Sequence, residues 1–326
     1  MPALVTIGIP TRNRREYVMR AITSVLAQSY PQIEVVVADN ASTDDTVACV
    51  RAIDDVRLRL IEHSENIGMV ANFNATLNAS SGRFFVMLSD DDYLAPDAIE
   101  TLIGAFEPPT DGMRGDEVGV SWTPSTIVDS VGVTQWTSRV GPPRESGFDF
   151  IEGSFRDGRG PRFCGVMVRS DDARIVGGYQ ARHGPPCDVG NWAQIALRYP
   201  FVVCTRRSLA FYTIHSSSET NVTTSSTWKR SGEAITQDLL DQLRRDGRER
   251  ELARMKISGK ALIGDLLIAG LSQSAGQRGW LWNTAVEVIR ARKYLFTIRV
   301  ACRFWQNFWK LKKLIVGRIR SNSSAR

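Results

Sequence analysis

The sequence predicts an α/β protein built on an open, mixed and mostly parallel sheet flanked by helices. Two observations carry this. The first hundred residues alternate short β-branched runs with amphipathic segments in the βαβ manner, and polar or proline-marked turns close each apolar run. A third observation is size: 326 residues, 43% hydrophobic and 23% charged, can bury a core without disulfide or metal staples, which excludes a disordered or collagen-like chain.

Residues 4–9 are β-branched and apolar. Pro10 ends that strand, and Asn13 is placed to cap a helix whose apolar face is Tyr17, Ala21, Ile22, Val25 and Leu26. Residues 35–38 form a short buried strand, and Ser42 with Asp45 three positions on suits a capping box for a helix to about Ile53. A strand at 58–61 follows, then a helix face of Val70, Phe73 and Leu77, a strand at 84–88, and a helix to Phe106 with Pro96 in its first turn. Beyond Pro108 and Pro109 the pattern loosens. Residues 118–130 read as strands, 141–162 are rich in Gly, Pro and Arg, and strand signals at 163–168, 201–204 and 209–214 surround a helical segment at 192–197. From Ser231 the chain is helical, and the charge-dense stretch 238–254 reads as a solvated helix face. The expected division is 1–107, 108–230 as the second half of the same domain, and a helical extension, 231–326.

Charge is unevenly spread. Residues 280–326 hold eleven Lys or Arg against the single acid Glu287, so of the net +6 they carry +10 and residues 1–279 carry −4. Trp280, Trp282, Trp305 and Trp309 are interleaved with those cations, which fits an interfacial helix drawn to anionic lipid; a helical bundle packed on the rest of the chain is the other reading. The acidic remainder argues against nucleic acid as a partner. Cys49, Cys164, Cys187, Cys204 and Cys302 are odd in number and never spaced C-x-x-C, which points to a reducing cytosol. No signal peptide is expected, because residues 1–9 already read as a strand with Arg12, Arg14 and Arg15 behind it. The longest run without charge, 66–82, has 17 residues with four asparagines, short of the roughly 20 apolar residues of a spanning helix.

The sharpest chemical feature is Ser89-Asp90-Asp91-Asp92, directly after a buried strand. In open α/β sheets ligands bind beyond the carboxyl ends of strands. Carboxylates about 4 Å apart repel by several kcal/mol at an effective dielectric near 20, and a divalent cation relieves this; hard oxygen donors suit Mg²⁺ or Mn²⁺. A solvated acidic turn is the competing reading. Asp39-Asn40 ends a second strand on the same edge, where Asp39 and Ser42 could also simply shape the turn. A third strand end, Pro10-Thr11-Arg12-Asn13, brings cations and amide donors to a helix start, where phosphate binds.

Together with Ser24-Val25-Leu26-Ala27-Gln28-Ser29-Tyr30, Asp39-Asn40-Ala41-Ser42-Thr43-Asp44-Asp45-Thr46 and Asn66-Ile67-Gly68, these segments resemble, in order, the family 2 glycosyltransferases of GT-A fold. The resemblance is close over residues 3–107 and weaker to about 218. It implies a nucleotide site from Pro10, Thr11, Arg12, Asn13, Asp39, Asn66, Gly68 and Asp90, with Asp39 on the base. It also implies a DXD-type Mn²⁺ or Mg²⁺ site from Asp90, Asp91 and Asp92. Two registers are open, one with Ser89 at the family's first acid and one pairing Asp90 with Asp92. The family's later Glu-Asp pair, followed four residues on by Trp, corresponds to Cys187-Asp188 and Trp192, so Asp188 becomes the expected catalytic base although cysteine replaces the glutamate. Residues 211–215 are similar to the family's Tyr-x-x-His ending, which puts His215 near the diphosphate or metal. Cys164-Gly165 and Gly177-Gly178-Tyr179 match positions near the acceptor pocket.

The resemblance thus implies a metal-dependent inverting transferase that moves one sugar from a nucleotide-diphosphate donor, UDP- or dTDP-linked by preference, to a glycan or lipid-linked acceptor of cell-surface polysaccharide. The expected place is the cytoplasmic face of the membrane, with the basic tail as peripheral anchor. The replaced glutamate motivates the alternative of a non-catalytic nucleotide-sugar-binding or scaffolding protein. A processive synthase is disfavoured, since Gln277-Arg278-Gly279-Trp280 is not Gln-x-x-Arg-Trp. A nucleotidyltransferase is disfavoured because Ile9-Pro10-Thr11 stands where its Gly-rich loop belongs.

Overall fold

Strand β1 (Val5–Thr11) is buried along its whole length, as a central parallel strand covered on both faces must be. It pairs in parallel with β2 (Ile33–Asp39) on one side and β4 (Phe84–Met87) on the other, and β2 pairs in parallel with β3 (Leu58–Glu62). Between these run α1 (Arg15–Leu26), α2 (Thr46–Arg51) and α3 (Met69–Ala79). The computed structural model describes residues 2–107, 115–215, 218 and 223–273; the tryptophan-rich basic tail and Cys302 lie outside them.

After β4 come β5 (Tyr93–Leu94), α4 (Ala98–Gly104), β6 (Val118–Trp122), β7 (Ser125–Asp129), β8 (Thr134–Thr137), β9 (Arg144–Glu145) and α5 (Gly147–Asp157). The second half continues with β10 (Val166–Arg169), α6 (Ser170–Ile175), α7 (Cys187–Ala196), β11 (Phe201–Cys204), β12 (Ala210–Ile214), α8 (Ser225–Arg245) and α9 (Glu249–Gln273). The main sheet has the order β3-β2-β1-β4-β10-β6-β11-β9. Only β10, between β4 and β6, and the short edge strand β9 run antiparallel to their neighbours. A second sheet, β5-β12-β7-β8, gathers strands far apart in the chain.

Two cores result from the strand alternation. Val5, Ile7, Ile9, Phe84, Val86 and Leu88 pack with Val18, Ile22 and Val25 of α1 and with α4, while Phe85 and Met87 face the opposite layer with Leu77 of α3 and Trp192 of α7. Helix α9 packs on α8 and α5, and α8 packs on α7. The consequence for chemistry is that β1, β2 and β4 end together, at Thr11, Asp39 and the turn after Met87.

Local details depart from the sequence reading. Asn13 does not cap α1: it adopts φ 53°, and its Oδ1 accepts from the Thr43 amide at 2.7 Å, tying two strand-end loops together. The capping box at Ser42 does not form either, because the Ser42 hydroxyl is turned to Asp39 and accepts from the Asn13 amide at 2.8 Å. A helix, α5, occupies part of the Gly-rich stretch 141–162; Ser146 caps it, accepting from the Asp149 amide at 3.1 Å, and Phe148, Ile151 and Phe155 form its buried stripe. Helix α8 starts at Ser225, six residues before the expected onset, under a Thr224 cap. Cys49, Cys164, Cys187 and Cys204 are free thiols. No described helix is long and apolar enough to cross a membrane.

Candidate active site

A cavity of about 650 Å³ opens at the carboxyl ends of β1, β2 and β4. On one side stand Pro10, Thr11, Arg12, Arg14, Asn40, Asn66 and Gly68 with Asp90 and Asp91; on the other, Arg162, Phe163, Val189 and Trp228 surround Asp188.

The acidic turn is organised by its neighbours. The Thr11 hydroxyl donates to Asp90 Oδ2 at 2.8 Å, and Arg14 Nη1 bridges Asp90 Oδ1 at 3.2 Å and Asp91 Oδ2 at 2.7 Å. Ser89 Oγ donates to Asp91 Oδ1 at 2.6 Å, and His215 Nε2 lies 2.9 Å from Asp91 Oδ2 with its ring stacked on Tyr17 at 5.0 Å. Arg20 holds the turn from beneath through the Asp91 carbonyl and Thr213 Oγ1. Burial and the neighbouring Asp91 push the Asp90 carboxyl up to about 7 against the opposing pull of Arg14 and Thr11. Burial also raises Asp91, but hydrogen bonds from His215 and Ser89 and the charge of Arg14 outweigh it and hold that carboxyl below its ordinary value. Asp91 therefore carries the negative charge of the pair.

Asp92 differs from its two neighbours. It is fully buried and does not line the cavity; its Oδ1 accepts from the Thr213 amide at 2.8 Å, joining the acidic turn to β12. Burial, then the charge of Asp91, raises its carboxyl well above the ordinary range. Asp39 is also buried and outside the cavity lining, with both oxygens taken by the Ser42 amide, at 2.8 Å, and hydroxyl. Asn40 lines the cavity instead, donating to Asn66 Oδ1 at 2.8 Å and accepting from the Ile67 amide at 2.8 Å, which fixes the loop ahead of α3. Gly68 stands at the N-cap of α3 with φ 86°, a backbone conformation that favours glycine.

Asp188 sits in the first turn of α7. Burial raises its carboxyl to about 6, partly offset by the Val189 and its own amide N–H groups and by the charge of Arg162. Cys187, in the place of the expected glutamate, is fully buried, and burial followed by the charge of Asp188 raises its thiol. The cavity thus brings together Pro10, Thr11, Arg12, Asn66, Gly68, Asp90, Asp91 and Asp188; Asn13, Asp39 and Asp92 are not part of its lining, and His215 reaches it through Asp91. The sequence reading missed the bridging role of Arg14, which only the pairing of β1 with β4 reveals, and the contribution of Phe73, Phe163 and Trp228, apolar residues with no motif.

Among the described residues no group of three or more His, Cys, Asp or Glu is arranged to hold a metal ion. The donor chemistry nevertheless fits a hard divalent cation: two carboxylates share one cationic partner, Arg14, and a nucleotide diphosphate would complete an oxygen-rich shell.

A doubly layered sheet of this order, with acids at the ends of adjacent strands, is the architecture of the GT-A glycosyltransferases. The structure of the mannosyltransferase PcManGT from Pyrobaculum calidifontis with GDP-Man and Mn²⁺ superposes with a TM-score of 0.56 at 18% identity, covering 94% of this chain and 84% of that one. S. aureus TarS in complex with UDP-GlcNAc gives 0.59 at 16% identity, covering 83% of each. The model for Glycosyl transferase family 2 matches residues 6–156 of this chain. The Rhizobium meliloti succinoglycan biosynthesis protein ExoO is 40% identical over 99 residues, 30% of this chain and 28% of ExoO. The Escherichia coli UDP-Glc:alpha-D-GlcNAc-diphosphoundecaprenol beta-1,3-glucosyltransferase WfaP is 32% identical over 104 residues, 32% of this chain and 41% of WfaP. The chain thus spans less than half the length of these relatives.

Proposed function

We propose that this protein is a metal-dependent inverting glycosyltransferase that moves a single sugar from a nucleotide-diphosphate donor, UDP- or dTDP-linked, to a glycan or lipid-linked acceptor in cell-surface polysaccharide synthesis. The observation that carries the reading is the one cavity faced from one side by Asp90 and Asp91 and from the other by Asp188. Relatives named for succinoglycan biosynthesis and for glucosyl transfer to a diphosphoundecaprenol-linked sugar support the same class of acceptor.

Asp90 and Asp91, with His215 behind Asp91, would hold the divalent cation, Mn²⁺ or Mg²⁺. When bound, the cation neutralises charge developing on the leaving diphosphate. Arg12 and the strand-end loop receive the phosphates, and Asn40, Asn66 and Gly68 shape the nucleoside side. Asp188 accepts the proton of the acceptor hydroxyl as that oxygen bonds to the anomeric carbon and the bond to the nucleotide diphosphate breaks. Attack from the face opposite the leaving group inverts the centre. A carboxylate held near 6 is a stronger base than an ordinary aspartate and still ionised at pH 7.

Calorimetric titration with UDP, dTDP and GDP, each with and without Mn²⁺, tests this. Metal-dependent binding of one nucleotide, lost in Asp91→Ala, is the expected result. Folded protein that binds no nucleotide under any of these conditions overturns the reading.

A further inference from the structure

The half of the cavity around Asp188 is built almost entirely beyond residue 156, where the family match ends. Its wall is apolar: Phe73 and Phe163 are half-buried with ring centroids 5.1 Å apart, and Val189 and Trp228 close it beside Asp188. One charged side chain interrupts that wall. Arg162 lines the cavity, is exposed, and, although its charge favours the ionised form of Asp188, makes no hydrogen bond or salt bridge through its guanidinium among the described residues, whereas Arg14 across the cavity is bonded to Asp90 and Asp91.

A neutral acceptor has no use for such a cation, because a solvated guanidinium gains nothing from a sugar hydroxyl that water does not already offer. An anionic acceptor needs it. Such a molecule meets Asp90, Asp91 and Asp188 in one cavity, and like charges at close range would exclude it unless a cation stands on its own side. The planar guanidinium fork also suits a carboxylate or phosphate group geometrically. Resting on the assignment of Asp188 as the acceptor-side base, we propose that this half of the cavity selects an acceptor sugar carrying a negative charge. Arg162 binds the anionic group, and the Phe73–Phe163 pair packs against the sugar ring.

The test is saturation-transfer NMR on the full chain, with the nucleotide that binds it present, using methyl glucoside, methyl glucuronide and glucose 6-phosphate as probes. The expected result is binding of at least one anionic probe about tenfold tighter than the neutral glucoside. The Arg162→Gln variant brings that ratio close to one and keeps nucleotide affinity, while Arg162→Lys retains part of the ratio. Preference for the glucuronide identifies a carboxylate, and preference for the phosphate a phosphoryl group. Equal binding of all three probes, or of none, overturns the proposal. So does an Arg162→Gln variant that loses nucleotide, since Arg162 then serves the donor diphosphate. Absence of nucleotide binding by the unaltered chain is a different failure, that of the transferase reading itself.

Discussion

At Asp188, burial penalises the charged carboxylate more than the helix-start amides and Arg162 favour it, and the acid constant settles near 6. A base must be ionised to accept a proton, so kcat/KM is expected to fall about tenfold per pH unit below 6 and to be flat above it, in a pH–rate profile measured with saturating metal. The same displacement acts on stability with the opposite benefit. A carboxyl whose folded value lies above its unfolded 3.8 stabilises the fold fully below 3.8 and loses that contribution as pH rises through 6. Asp188→Asn should therefore abolish transfer, keep nucleotide binding and gain roughly 1–3 kcal/mol of stability at pH 7.5 by denaturant titration. Transfer that persists in this variant removes Asp188 from the chemistry. The three adjacent aspartates separate in the same way. Asp92 is buried away from the cavity, with Oδ1 accepting from the Thr213 amide and the Cys164 thiol beside it, and an asparagine oxygen can take the place of that acceptor, so Asp92→Asn should preserve metal-dependent nucleotide binding while Asp91→Asn loses it. In the sequence the three are equivalent. What distinguishes them is which side of the turn faces Arg14 and which faces β12, and that is set by strand pairing far away in the chain.

Helix α7 owes its position to a contact outside the motif that named Asp188. His183, fully buried just ahead of the helix, places Nε2 2.7 Å from Asp238 Oδ2 on α8, and Arg182 reaches the same oxygen at 2.8 Å. Gly190, one turn into α7, packs so tightly on the imidazole that an added Cβ would lie 2.2 Å from His183 Nδ1. Burial lowers the His183 pKa against the pull of Asp238, which keeps the ring neutral at pH 7 and makes the contact a hydrogen bond rather than an ion pair. Asp238→Ala, which leaves that buried donor without an acceptor, should cost about 1–3 kcal/mol in denaturant unfolding. Gly190→Ala should cost about 1–3 kcal/mol and lower kcat with nucleotide affinity unchanged, because the clash displaces the helix that carries Asp188 and leaves the donor side untouched. Wild-type turnover in Gly190→Ala would show that the position of α7 does not matter to the reaction. Elements of the first half were legible because most of their strands are apolar, β-branched runs ended by a turn signal, as at 84–88 before Ser89. Helix α5 was not, since Gly147 and Gly153 sit inside it and only the stripe Phe148, Ile151 and Phe155 marks its period. The second sheet was not legible either: β5 has two residues, and its partner β12 lies more than a hundred positions away.

For the whole chain, the charge division proposes an arrangement at a surface. Residues 1–279 carry −4 while 280–326 carry +10 and four tryptophans. Each Lys or Arg close to an anionic bilayer contributes about 1 kcal/mol, attenuated within a Debye length, and indole rings settle at the headgroup level, so a segment of this composition suits an interfacial anchor. On the proposed function, the cavity would then work beside a lipid-linked acceptor, and a low-affinity acceptor site would be compensated by confinement to the membrane plane. Cosedimentation of the full chain with vesicles of phosphatidylcholine alone, and with phosphatidylserine added, reads this directly. Binding is expected on the anionic vesicles, to weaken as salt rises from 50 to 500 mM because the attraction is screened, and to vanish in a chain cut after Gly279 that still binds nucleotide. Equal binding of the cut and full chains would move the anchor elsewhere on the molecule. No binding to either vesicle would instead favour the tail as a helical bundle that packs its tryptophans on the rest of the chain.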